Sequence, residues 1–160
     1  MRPSGQFLRP GFTLAELFIV VAIMGILMAV ALPRFGRIRD QGQISGAETR
    51  LVRAVFAARQ AAIQRGKRAY FKHNNSYVWV TLDTTGNTSD SVIVTSALDL
   101  KTLYGVEVIA PTGLTSIEYD PRGVSTQATK QVFRFQHVAS GRVDSLCISK
   151  LGNTIRERCP

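Results

Sequence analysis

Residues 11–33 read Gly11-Phe12-Thr13-Leu14-Ala15-Glu16-Leu17-Phe18-Ile19-Val20-Val21-Ala22-Ile23-Met24-Gly25-Ile26-Leu27-Met28-Ala29-Val30-Ala31-Leu32-Pro33. From Leu17 to Leu32 no residue is charged, and back to Phe12 the run is interrupted only by Glu16. Coiled as a helix, Phe12–Leu32 spans roughly 32 Å, enough to cross the hydrocarbon core of a bilayer. Pro33 lacks a backbone N–H and crowds the preceding turn, which predicts that the helix ends or kinks there.

Three fates suit such a segment. Arg2 and Arg9 precede it and Ala29-Val30-Ala31 offers an A-x-A site, as in a secretory signal peptide. It can be an uncleaved anchor, or its leader can be cut off at the head of the apolar run. Glu16 discriminates among them. A carboxylate at a bilayer centre costs about 2.5–3.5 kcal/mol, less near the interface, and usually has a partner. A signal peptide or a simple anchor gains nothing from it. A cut before Phe12 creates an α-amine four residues upstream, one helical turn away, where amine and carboxylate neutralise each other within a chain or between neighbours.

Gly11 through Leu27 resembles the cleavage and anchor motif of type IV pilins and type II secretion pseudopilins. The motif covers about a seventh of the chain. The resemblance implies that residues 1–11 are a leader ending in Gly11. A prepilin peptidase/N-methyltransferase would cut between Gly11 and Phe12 and methylate Phe12. Glu16 would be the motif's acidic residue, used in assembly, and Gly25 and Pro33 also fall where the family often has Gly and Pro. Arg2 and Arg9 flank one side of the apolar run and Arg34, Arg37 and Arg39 the other, so positive charge does not set the orientation.

From Phe35 to about Gly66 the pattern is helical: Ala47, Leu51, Ala54, Val55, Ala58, Ala61 and Ala62 recur every three or four residues. Arg50, Arg53, Gln60 and Gln64 fall on the other face. Gly36, Gly42 and Gly46 each cost about 1 kcal/mol relative to Ala in a helix interior and predict a deformable link. Beyond Gly66 the period becomes two. Strands are expected at Ala69–Lys72, Tyr77–Leu82, Val92–Thr95, Val106–Ile109, Ser116–Tyr119, Val132–His137, Ser145–Ser149 and Thr154–Arg158. No later connection has room for a second long helix, so the sheet is expected to be mainly antiparallel. The fold class is α+β, pilin-like: a leader over 1–11, a transmembrane helix over 12–33, an amphipathic stem over 34–66 and a β-rich domain over 67–160.

Ile117-Glu118-Tyr119-Asp120-Pro121-Arg122-Gly123, then Val132–Phe135, then Cys147-Ile148-Ser149-Lys150-Leu151-Gly152 resemble the branch shared by pseudopilin H of type II secretion and the T and U minor pilins. Asn153 stands where that branch usually has Arg. A hairpin turning at Gly152–Thr154 would set Cys147 opposite Cys159, near disulfide distance. Such a bond forms in an oxidising periplasm and closes a loop worth roughly 3 kcal/mol. Two free thiols are the alternative.

Twenty Lys plus Arg against 11 Asp plus Glu give a formal net charge of +9. That suits anionic partners, or simply a solvated basic surface. Arg142, Lys150, Arg156 and Arg158 near the C-terminal hairpin are candidate DNA contacts, with Arg65, Lys67 and Arg68 as a second cluster. Tyr70, Phe71, Tyr77 and Trp79 can stack on bases or fill a core. Asn74-Asn75-Ser76 and Asn87-Thr88-Ser89 match the short glycosylation pattern, which is of little relevance in a bacterium.

No H-E-x-x-H, G-x-S-x-G or phosphate-binding loop occurs, His73 and His137 stand apart, and no catalytic residue, metal or cofactor is expected. The resemblance implies a minor pilus or type II pseudopilus subunit, single-pass in the bacterial inner membrane with its C-terminal domain periplasmic. Its partners would be the peptidase, other pilins or pseudopilins, the membrane and exported proteins. DNA capture for natural transformation is the alternative.

Overall fold

The computed structural model describes residues 12–84, 91–127 and 129–156, with the backbone alone at Pro33, Leu114 and Arg156. The chain divides into two units, Met1–Ile38 and Arg39–Pro160. One helix, α1, runs Leu14–Arg65. Of the two outcomes expected at Pro33, an end or a kink, the helix does not end there: it continues through it. A proline inside a helix costs about 3 kcal/mol, but the loss falls on one turn.

In the first unit α1 carries no charge from Leu17 to Leu32 and is apolar on every side over that run. Its span of bilayer-crossing length and composition has none of its surface buried within the protein. In the second unit one stripe is buried: Ile44, Ala47, Leu51, Val55, Ala58, Ala61 and Ala62. Ala54, expected in the stripe, is half-buried at its margin, while Arg50, Arg53 and Gln64 are exposed. The helix stops at Gly66, whose φ of +61° suits glycine, and Lys67 N–H donates to the Ala62 carbonyl at 3.3 Å, closing the last turn.

Eight strands follow: β1 Ala69–Asn74, β2 Tyr77–Asp83, β3 Ser91–Asp99, β4 Val106–Ala110, β5 Leu114–Tyr119, β6 Gln131–His137, β7 Val143–Ile148 and β8 Thr154–Arg156. They form two four-stranded sheets, ordered β3-β2-β1-β5 and β4-β6-β7-β8, and every pairing is antiparallel. The period-two residues explain the faces. Ala69, Phe71 and His73 of β1 and Phe133, Phe135 and His137 of β6 point inward, while Lys72, Asn74 and Arg134 point out. The inner faces of both sheets share one core with the α1 stripe. Phe71 meets Phe133 edge-on, ring centroids 6.0 Å apart, and His73 meets Phe133 at 5.2 Å.

A five-residue helix, α2 (Leu100–Tyr104), lies between β3 and β4. Asp99 caps it by accepting from Lys101 N–H at 3.0 Å and Thr102 Oγ1 at 2.6 Å, and Gly105 closes it at φ +64°. Tyr104 then lies against α1, where its hydroxyl accepts from Arg50 Nε at 3.1 Å. A Cβ at Gly46 would sit 2.7 Å from the Tyr104 ring. Gly46 is thus a packing site rather than part of a loose link, whereas Gly42 faces open space.

Two tests follow from this core. Gly42→Ala should stabilise the detergent-solubilised chain by up to about 1 kcal/mol, and Gly46→Ala, with the same gain in helix propensity, should destabilise it. Equal shifts in thermal midpoint would reject the Tyr104 contact. His73 is fully buried with neither ring nitrogen hydrogen-bonded, and burial lowers its pKa. The unfolded chain, with His near 6.5, then binds the extra proton first. This contribution to stability is complete above that pH and is lost as pH falls below it, with a slope of up to about 1.4 kcal/mol per pH unit. His73→Leu should flatten that part of the pH–stability curve; an unchanged slope would count against it.

Candidate functional site

The first candidate is the head of α1. Thr13 N–H donates to Glu16 Oε2 at 3.0 Å, Thr13 Oγ1 donates to the same oxygen at 3.1 Å, and Glu16 N–H donates to Thr13 Oγ1 at 3.2 Å. This is a reciprocal capping box, and its signature, Thr13-x-x-Glu16, stands in the sequence. It corrects the expectation that an uncleaved helix gains nothing from Glu16. Phe12 is 85% exposed at the helix head. Gly11, Arg2 and Arg9 lie outside the described residues.

The second is the C-terminal hairpin. Cys147 is buried on β7, but its register partner on β8 is Ile155, with Ile148 opposite Thr154. The turn occupies 149–153: Gly152, at φ +74°, donates its N–H to the Ser149 carbonyl at 2.9 Å, and Ser149 N–H donates to the Asn153 carbonyl. The expected register, with Cys147 opposite Cys159, is corrected by four residues because the turn centres on Leu151 rather than Asn153. Cys159 and Arg158 lie outside the described residues. Sequence reasoning overlooked Arg59, which docks this turn on α1 by donating from Nη1 to the Leu151 carbonyl at 2.7 Å. Beside it, burial pushes the Tyr119 phenol up to about 12, against the pull of the Arg59 charge.

Of the basic candidates near the C-terminus, Arg142 and Lys150 have described side chains. Arg142 and Lys150 are exposed just beyond opposite ends of β7, roughly 20 Å or more apart by strand rise. Arg156 pairs through its backbone with Leu146. Arg68 faces Glu118 at 3.3 Å, and Lys67 Nζ donates to the Thr84 carbonyl at 2.6 Å. Of the aromatics, Phe71 is core and Tyr70 is largely buried, with Lys72 Nζ 5.7 Å from its ring centre. Tyr77 and Trp79 line a groove of about 300 Å³ with Asn74, Ile93 and Ala97.

The titratable residues near these surfaces have structural employment. Asp120 Oδ1 accepts from the Val124 and Arg122 N–H groups and Oδ2 from Arg122 Nε, so its carboxyl is held below the usual range, chiefly by the Val124 bond. His137 Nδ1 accepts from Ser140 N–H at 3.2 Å, which leaves Nε2–H to donate to Gln43 Oε1 at 2.7 Å and tie β6 to α1. No metal-binding group of His, Cys, Asp or Glu occurs among the described residues.

The family model described as type II transport protein GspH matches residues 47–152, from the buried helix stripe to the C-terminal turn. The chain belongs to the GspH family. Its α+β fold is that of a minor pilin. The GspH-family chain aligns with the crystal structure of type IV minor pilin FimU of Pseudomonas aeruginosa (strain PAO1) at a TM-score of 0.56 and 12% identity, covering 76% of this chain and 92% of that one. It is 47% identical over 51 residues to the type IV major pilin protein PilA of Myxococcus xanthus, covering 32% of this chain and 23% of that protein. To Fimbrial protein Q of Moraxella bovis it is 36% identical over 93 residues, 54% of this chain and 55% of that one. The chain thus spans between about a quarter and just over half of these curated relatives.

Proposed function

We propose that this chain is a minor filament subunit of a type II secretion pseudopilus or a type IV pilus, anchored in the bacterial inner membrane with residues 67–160 in the periplasm. The observation that carries the reading is the contrast along α1. Its first part is apolar all round and wholly unburied, and the part after Ile44 buries one stripe beneath a GspH-family domain. A helix apolar on every side needs lipid or other helices around it.

The prepilin peptidase cuts between Gly11 and Phe12 and methylates the new Phe12 amine. Glu16 then has two uses: it caps its own helix, and it meets the terminal amine of an adjacent pilin or pseudopilin, which lowers the cost of both charges in lipid. The soluble domain contacts other minor subunits or exported proteins. A Cys147–Cys159 disulfide closes the C-terminus. DNA capture draws less support, because Arg142 and Lys150 stand apart and Phe71 is core.

Glu16→Gln separates the two roles of the carboxylate, since glutamine keeps the capping box without the charge. Cleavage should be normal while incorporation into sheared filaments, read by immunoblot, falls roughly tenfold or more, each factor of ten being about 1.4 kcal/mol. Wild-type incorporation of Glu16→Gln would reject charge pairing and leave Glu16 a cap.

A further inference from the structure

The strongest unexplained feature is the edge of the first sheet. Among the described residues β3 pairs only with β2. The opposite edge, β5, is covered: Thr126 N–H donates to the Glu118 carbonyl at 3.0 Å and Gln127 Nε2 to the Ser116 carbonyl at 2.9 Å. On β3, Val92, Ile93 and Val94 are 56%, 65% and 44% exposed. Soluble proteins blunt such edges with Lys, Pro, charges or bulges. Ser91–Leu98 contains no charge and no proline; its pairing with β2 is regular from Ser91 to Ile93 and shifts register twice between Ile93 and Leu98, so the unblunted part of the edge is its first half.

A groove of about 560 Å³ opens between this strand and the last turn of α1. Ala61, Leu82, Val92 and Val94 give it an apolar wall, and Arg65 and Lys67 a cationic one. Lys67 is engaged by the Thr84 carbonyl, whereas no carboxylate pairs with Arg65 among the described residues. The groove therefore suits an occupant that is extended, apolar along one side and acidic where it passes Arg65.

We propose that β3 and this groove receive an extended acidic segment of another polypeptide. It adds as a strand beside β3, sets alternate apolar side chains on Val92 and Val94, and directs a carboxylate to Arg65. Main-chain hydrogen bonds to the open edge supply affinity, and the groove supplies the choice of side chains. The chain's own +9 charge disfavours a second copy as occupant and favours an acidic partner. The inference stands on the fold of residues 39–160 and not on the filament reading.

The test uses the full chain in detergent micelles with synthetic peptides that alternate valine and threonine. One ends in glutamates, one in lysines, and a third is the acidic peptide with a methylated backbone. The acidic peptide should bind by fluorescence anisotropy and slow hydrogen exchange across residues 91–99. The lysine peptide should bind about tenfold more weakly, the N-methylated peptide should not bind, and Arg65→Glu should invert the charge preference. Unchanged exchange on β3, equal binding of the N-methylated peptide or an unaltered preference in Arg65→Glu would overturn the proposal. So would concentration-dependent protection of β3 without peptide, which would mean that copies of this chain pair there.

Discussion

The structure depends on one helix meeting two kinds of surroundings. Along its first part α1 offers apolar side chains in every direction and buries none of them within the protein. From Ile44 to Ala62 it offers a single stripe, and that stripe is fully used as one wall of the core. Both sheets pack their inner faces on it, through Phe71 from one and Phe133 and Phe135 from the other. The stripe, the first sheet and the second sheet share one core, so the β-rich domain is built on the same helix that carries the apolar segment. Glu16 is the exception in the apolar part, and the Thr13–Glu16 box gives it a partner within the chain.

Much of this was legible in the residues. All eight strands stand where period-two alternation predicts them, with ends that coincide or differ by up to four residues, because inward Phe71 and His73 alternate with the less buried Lys72 and Asn74. The buried helix stripe was legible for the same reason at a period near four. Four features were not read. α2 is too short to show a periodic face, although its Asp99 and Gly105 caps were present as signals. Pro33 is a strong local breaker, yet the helix continues through it. Gly46 looks like weakness until Tyr104, distant in sequence, is seen to need its space. The hairpin register followed an assumed turn at Gly152–Thr154, and the real one centres on Leu151, which moves every cross-strand partner including that of Cys147.

The candidate site was legible in part. Gly11-Phe12-Thr13-Leu14-Ala15-Glu16 carried the family resemblance, and the same letters contain a capping box, so one motif serves both local helix initiation and the proposed processing. The basic residues near the C-terminus looked clustered in sequence, but a strand separates Arg142 from Lys150 by its whole length. Arg59 carried no signal, since a lone arginine on a helix acquires its role only when Leu151 is brought to it. Glu118 and Asp120, two residues apart, have separate employment: one faces Arg68, the other organises a turn.

The proposed cleavage creates the functional N-terminus directly ahead of the capped apolar helix. Intact-mass measurement combined with N-terminal sequencing of the chain extracted from bacterial membranes tests it most directly. The polypeptide should begin at Phe12 and be heavier by one methylation than its residues require. A chain that retains Met1, or one that begins at Leu32 after removal of the apolar run, would contradict it.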